Sequence, residues 1–468
     1  MAEDSISPKS KRLKMASPHP PPPLSSDLEE EEDRITNLPE SLLHQILTLL
    51  DTKQVVQTSI LSTNWRHFWR SIQTLDFSDL NWYLSQTGKT RKFKRAKFRF
   101  FIDSVLLMRD TSDLHKFSLY FSSSSPKDCN RLDRWIMYAI KRNVKVLTFG
   151  ATEFFHYNVL RLAGNVKKLE LKGVFLHDYP KNDGELVMDF PVVEELLLEE
   201  CGYCEIKRLV VVAPKLEYFT IVAYNDTLNS STSIKILSPK LRSFYCKGFM
   251  FRDYILEDLA DVALVDFDTI IGNSDKDVKR MDGKGFGRCL SKIFKGLENM
   301  KYLILSAHGL QSFAKLSYML DWDTVLCKRL VFLKLKLITW SNNAYIHPLA
   351  KLLGIFPSME FLILERNETL AELETEETDS DWEKQLSFEC VLPRLRVIKY
   401  HNLQVCENEL KFIAFLMRSA IILEKMTISI VIRSSEEVDK VLEFMKKLLL
   451  LPQASPDVDL CYTFIPII

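Results

Sequence analysis

The sequence predicts an α+β protein, with a small helical unit near the N-terminus followed by an irregular α/β solenoid of short repeats. Three observations carry this expectation. Residues 38–69 place large apolar side chains at helical spacing. From about residue 72 onward an apolar pattern with a strand-like ending, φ-x-x-φ-x-φ (φ apolar), recurs to the C-terminal region. The chain of 468 residues is 46% hydrophobic and 26% charged, which supplies a large core and rules out wholesale disorder.

Residues 1–32 stand apart in composition. Six of the 18 prolines lie before residue 24, and a basic cluster (Lys9, Lys11, Arg12, Lys14) precedes an acidic one (Glu29 to Glu32). Such a segment cannot bury enough apolar surface to offset its ordering entropy, so a disordered tail is expected. The basic cluster reads either as a nuclear import signal or as a solvated charge run. Lys plus Arg and Asp plus Glu both count 62, which leaves no excess of cations for a nucleic-acid backbone. No apolar run reaches the roughly 20 residues of a membrane-spanning helix. The nine cysteines show no framework spacing. The expectation is a soluble protein of the nucleus and/or cytoplasm with reduced thiols, and with neither nucleic acid nor membrane as partner.

The helical unit begins where Leu38-Pro39-Glu40 places a proline in a first turn, with Asn37 as an outside cap. Leu42, Leu43, Ile46, Leu47 and Leu50 form one apolar stripe of helical period. A second helix is expected from Thr52, carrying Val55, Val56 and Ile60, and a third containing Leu61, Trp65, Phe68 and Trp69. So many large apolar residues on so small a unit imply that some face a partner.

The string from Asp33 to Phe77 closely resembles the plant F-box. The match includes the Leu-Pro opening, the Thr52-Lys53 turn, the Ser59-Ile60-Leu61-Ser62 stretch and the Trp65 and Trp69 pair. Asp51 stands where that family often has proline, and Asn64 where it often has a basic residue. The resemblance implies docking on a Skp-type adaptor, which joins a cullin scaffold. It assigns the adaptor surface to Leu38, Pro39, Leu42, Leu43, Ile46, Val55, Leu61 and Trp65, against the plainer reading of each as core. For Leu47, Leu50 and Trp69 the core reading is preferred.

Copies of the apolar pattern begin at Ile72, Leu114, Val144, Val166, Val193, Leu216, Leu241, Met300, Leu330, Met359, Leu395 and Leu423, with a degraded copy at Leu264. Between Val144 and Leu241 the steps are 22 to 27 residues, in the leucine-rich-repeat range of roughly 20–29. Each φ-x-φ ending reads as a short strand whose alternate residues point inward, and such a strand can bury its apolar face only by stacking on neighbours. Pro191, Pro214, Pro239, Pro357 and Pro393 sit just before copies, where a turn enters a strand.

Residues 272–288 are rich in glycine and charge, and residues 367–382 hold seven carboxylates in sixteen positions, so both read as surface loops. The second precedes Cys390-Val391-Leu392-Pro393-Arg394-Leu395, then Glu407-Asn408-Glu409-Leu410, then Leu423-Glu424-Lys425-Met426. This block resembles the plant FBD region, which usually has a glycine where Val405 and Cys406 stand. The expected division is therefore a tail over 1–32, F-box over 33–80, leucine-rich-repeat solenoid over 81–366, acidic loop over 367–382 and FBD-like region over 383–468.

The chain lacks a catalytic constellation. Cys201 and Cys204 have CxxC spacing without a second pair, and Gly283 to Gly287 lack the Gly-Lys-Ser/Thr ending of a phosphate loop. Neither a cofactor nor a metal site is expected. The resemblance implies a substrate receptor of an SCF-type ubiquitin ligase. The alternatives are an adaptor-bound scaffold without target degradation, or a small-molecule sensor of the F-box leucine-rich-repeat type. Target contact is expected on the outward face of the strands, at an aromatic stripe of third-position residues: Tyr218, Tyr245, Tyr302, Phe332 and Phe361, interrupted by Asp266. Lys334 and Lys336 lie beside it.

Overall fold

The computed structural model describes residues 38–61, 64–77, 89–121, 126–151, 154–155, 157–177, 184–224, 232–249, 251–257, 259, 261–270, 299–306, 328–337, 346–366, 391–403, 405–432 and 435–466. The expected tail, the cap at Asn37 and the loops at 272–288 and 367–382 lie outside them.

The N-terminal unit holds α1 (Glu40–Leu47) and α2 (Thr52–Thr58). Pro39 sits at the N-cap of α1, one position earlier than the sequence suggests, and its carbonyl accepts the Leu42 and Leu43 amides. Asp51 caps α2: its carboxylate accepts the Gln54 amide at 2.7 Å, while the Gln54 side chain accepts the Asp51 amide at 3.3 Å. That reciprocal cap replaces the proline of the family pattern. Instead of a third α-helix there are two short 3₁₀ turns, Asn64–Arg66 and Phe68–Arg70. Trp65 and Trp69, one on each turn, both reach the core before the chain enters its first strand at Thr74.

One sheet of 14 parallel strands dominates the rest. Its first strands are β1 (Thr74–Phe77), β2 (Lys116–Phe121), β3 (Val146–Ala151), β5 (Lys168–Lys172) and β8 (Glu195–Glu199). The middle holds β11 (Tyr218–Ala223), β13 (Ser243–Phe249), β15 (Leu264–Ile270) and β16 (Tyr302–Ser306). It ends with β17 (Phe332–Leu337), β18 (Phe361–Arg366), β19 (Val397–Leu403), β20 (Lys425–Ile432) and β21 (Asp459–Pro466). Strand follows strand in chain order, and every strand but β21 contains a φ-x-φ triplet read from the sequence. Register is continuous: Leu75, Phe117, Leu147, Leu169, Leu196, Phe219, Phe244 and Val265 form one inward row. At its centre Phe219 and Phe244 stack at 5.6 Å and Phe244 meets Phe267 edge-on.

The return segments differ by length. Long connections carry helices: α3 (Lys89–Met108), α4 (Pro126–Lys141), α5 (Ile346–Gly354), α6 (Glu407–Ser419) and α7 (Ser435–Leu449). The short steps in the middle carry strands instead. β4 (Phe154–Phe155), β6 (Phe175–His177) and β9 (Gly202–Cys204) make a three-stranded sheet. β7 (Glu185–Asp189), β10 (Arg208–Val212), β12 (Ser233–Leu237) and β14 (Asp253–Glu257) make a four-stranded one. Extended chain gains about 3.3 Å per residue against 1.5 Å for helix, so an extended return needs fewer residues to cross the layer.

The prolines act as read from the sequence. Pro214, Pro239, Pro357 and Pro393 each occupy the second position of a turn closed by an amide-to-carbonyl bond, as from Leu216 to Ala213 and from Leu241 to Ser238. The helical unit is tied to the sheet: the Thr52 hydroxyl accepts the Asp76 amide at 2.7 Å, and the buried Arg109 guanidinium donates to the Ile72 carbonyl.

Two backbone positions yield predictions. Gly248 has φ +85°, and a Cβ there would run into the Ala223 carbonyl of the neighbouring strand. Gly248→Ala should therefore cost about 1–3 kcal/mol in denaturant unfolding. Val405 has φ +64° at the point where the FBD pattern carries glycine, while its side chain packs on the core. A β-branched residue in that region costs about 1–3 kcal/mol. Val405→Gly should thus unfold less readily than Val405→Ala, the reverse of the usual order, because Ala loses the packing and keeps the strain.

Candidate docking surfaces

The helical unit sorts its apolar residues into two rows. Because each helical residue turns about 100°, the stripe read from sequence splits in two. Leu43 and Leu47 are buried, with Leu50 packed against them, while Leu42 and Ile46 on the adjoining side are exposed. Leu49 extends the outer row by one turn, and Ile60 (85% exposed) and Leu61 (76%) follow α2. Of the residues assigned to the adaptor surface, Pro39, Leu42, Ile46 and Leu61 are exposed and Leu38 is half-buried. Leu43, Val55 and Trp65 lie instead in the core, since a unit this small needs them to bury its helices against each other. The sequence reading did not assign Leu49 or Ile60 to the adaptor surface: it placed Ile60 on the second helix, which ends at Thr58. The signal for Leu49 was the i, i+4, i+7 spacing of Leu42, Ile46 and Leu49, hidden by the adjacent inward row.

On the main sheet, odd positions face away from the inner stack. Tyr302, Phe332 and Phe361 stand side by side on adjacent strands, with the first two rings 5.8 Å apart. Tyr218 lies in the same row, separated from Tyr302 by Ser243 and Leu264. Tyr218, Tyr302 (45%) and Phe361 are exposed and Phe332 is half-buried. Tyr245 does not belong to this row. It is the fifth residue of its copy, so the two-residue period sets it one row along, between Thr220 and Asp266. Asp266 likewise belongs to that second row, so Leu264 and Ser243 interrupt the stripe. Lys334 shares the second row and pairs with Glu365 at 2.6 Å; Lys336 pairs with Asp268 at 2.6 Å.

The side chains that could suggest chemistry are otherwise engaged. Burial pushes the Cys201 thiol up to about 12, so it stays protonated at neutral pH and donates to the Leu171 and Glu199 carbonyls. The Cys204 side chain lies outside those described. Glu194, Glu195 and Glu199 pair across strands with Lys167, Lys168 and Lys172, exposed pairs worth at most about 1 kcal/mol each. An open cleft of about 490 Å³ at the start of the four-stranded sheet is lined by Glu185, Lys207, Arg208, Arg252 and Asp253 among others, with Arg208 and Glu185 paired. No helix among the described residues is long and apolar enough to cross a membrane.

Two segments of the chain match known domain families. Residues 35–76 match the model of the F-box domain, and residues 384–428 match that of the FBD. The chain thus carries one segment similar to the F-box domain and one similar to the FBD. It is similar to F-box/FBD/LRR-repeat proteins of Arabidopsis thaliana. One such protein of Arabidopsis thaliana is 27% identical over 60% of this chain and 67% of its own length. A second is 25% identical over 92% of this chain and 99% of its own length. A third reaches 31% identity over 45% of each chain. A putative F-box protein of the same plant is matched over 55% of its length.

The two rows of α1 should separate by mutation. Leu47→Ala removes a fully buried side chain and should cost about 2–5 kcal/mol of unfolding free energy. Ile46→Ala, one residue away and exposed, should change stability by less than about 1 kcal/mol in the same denaturant titration.

Proposed function

We propose that this chain is the substrate-recognition subunit of an SCF-type ubiquitin ligase. The observation that carries the reading is the exposed apolar row of Leu42, Ile46, Leu49, Ile60 and Leu61, which lies inside the segment matching the F-box domain. An F-box implies binding to a Skp-type adaptor, and exposed leucine and isoleucine side chains clustered on one small unit fit such a partner. The adaptor in turn joins the cullin scaffold.

On this reading residues 33–80 are the F-box. Residues 81–366 are a leucine-rich-repeat solenoid, and 383–468 an FBD-like region that continues it. Parallel strands in chain order, each entered by a turn, support the solenoid. Parallel pairing of β18 with β19 and of β19 with β20, with one register shift between Tyr400 and Leu403, supports the continuation. Residues 1–32 and 367–382 serve as tail and acidic loop, and the protein acts in the nucleus and/or cytoplasm. The outward sheet face, with Tyr218, Tyr245, Tyr302, Phe332, Lys334 and Phe361, holds the target. The chain performs no bond chemistry and requires no cofactor; its contribution is to raise the target's effective concentration near the ubiquitin-loaded enzyme.

Co-purification with a Skp-type adaptor tests the reading. The full chain should retain the adaptor, and Ile46→Ala combined with Leu61→Ala should weaken retention by about tenfold or more at unchanged melting temperature. Equal retention by the variant, or none by the full chain, would overturn it.

A further inference from the structure

Asp266 is the outlier of the sheet face. It sits on β15 between Tyr245 of β13 and Ile304 of β16, and it is only 6% exposed. Its Oδ1 has no hydrogen-bond partner among the described residues. The neighbouring cations have other partners: Lys336 bonds Asp268, and Lys334 bonds Glu365. Lys247 lies opposite Asp268 in register, not opposite Asp266. Burial raises the Asp266 carboxyl above the ordinary carboxylate range, opposed by Lys336, Lys247 and Lys334 and reinforced by Asp268.

A buried carboxylate oxygen with nothing to accept from is destabilising, and such exceptions mark functional positions. The surroundings specify the missing donor. Tyr302 stands on the adjacent strand, two residues before the Asp266–Ile304 pair, and Tyr245 stands directly opposite. A carboxylate framed by aromatic rings suits a planar cation, which donates to the oxygens while its face or edge rests on a ring. Guanidinium meets this better than ammonium because it is planar, forked and weakly hydrated.

We propose that Asp266 is the anchor for an arginine side chain of the captured target, gripped between Tyr245 and Tyr302. This rests on the reading of the sheet face as the target site and names what that site selects.

The test offers the full chain a library of nonapeptides randomised around a fixed centre of arginine, lysine, citrulline or norleucine. Citrulline keeps the shape of arginine without its charge. Arginine-centred peptides should be enriched about tenfold or more over citrulline-centred ones, and Asp266→Asn should abolish that preference. The same variant should melt at an unchanged or higher temperature, because it removes an uncompensated buried charge. A large fall in melting temperature would make Asp266 a structural acceptor and overturn the proposal. Capture without preference for arginine, weakened by Tyr302→Ser, would overturn the anchor and leave the target site standing. Absence of capture altogether would remove both, while adaptor retention judges the F-box reading separately.

Discussion

A strand of four to eight residues with two or three inward apolar side chains cannot fold alone, and every part of this protein depends on that constraint. Each strand of the main sheet takes its backbone partners and its core from the strands before and after it. Parallel pairing in near-continuous register turns fourteen weak elements into one inner apolar row, mostly leucine and phenylalanine. The same stacking aligns the outward residues, so side chains far apart in sequence, such as Tyr218 and Phe361, fall in a single row.

The connections obey the constraint differently along the chain. Towards both ends of the sheet helices cover it; in the middle the returns are extended and pair with their neighbours into two smaller sheets. Turns with proline at the second position set the entry angle of several strands. At Gly248 and Val405 the local backbone follows the demands of its surroundings. In the first case the sequence supplies glycine; in the second it retains a β-branched residue whose packing offsets its strain.

The helical unit shows how one amphipathic segment can serve stability and recognition together. Leu43 and Leu47 close the core, Thr52 tethers the unit to the first strand, Arg109 just past α3 holds the Ile72 carbonyl, and the adjoining row of Leu42, Ile46 and Leu49 is left outside. A rigid attachment of this kind holds the proposed adaptor surface in a fixed relation to the sheet. The Asp266 region, with its unsatisfied carboxylate oxygen, is the proposed counterpart on the sheet.

Much of this was legible in the sequence. The helical unit, the apolar triplets that became strands and the prolines that became turns are local patterns, because spacing along the chain dictates which side chains share a face. The third helix was not: Trp65 and Trp69 sit on 3₁₀ turns, and their apolar spacing does not distinguish these from an α-helix. Nor was the strand character of the middle returns, which follows from layer thickness and connection length together. Which of Leu42 and Leu43, or Ile46 and Leu47, faces outward depends on what packs against α1, and both kinds look alike in sequence. Tyr245 makes the same point: its position within its copy was readable, but the row it joins, and the buried carboxylate it stands beside, exist only once neighbouring strands are in register.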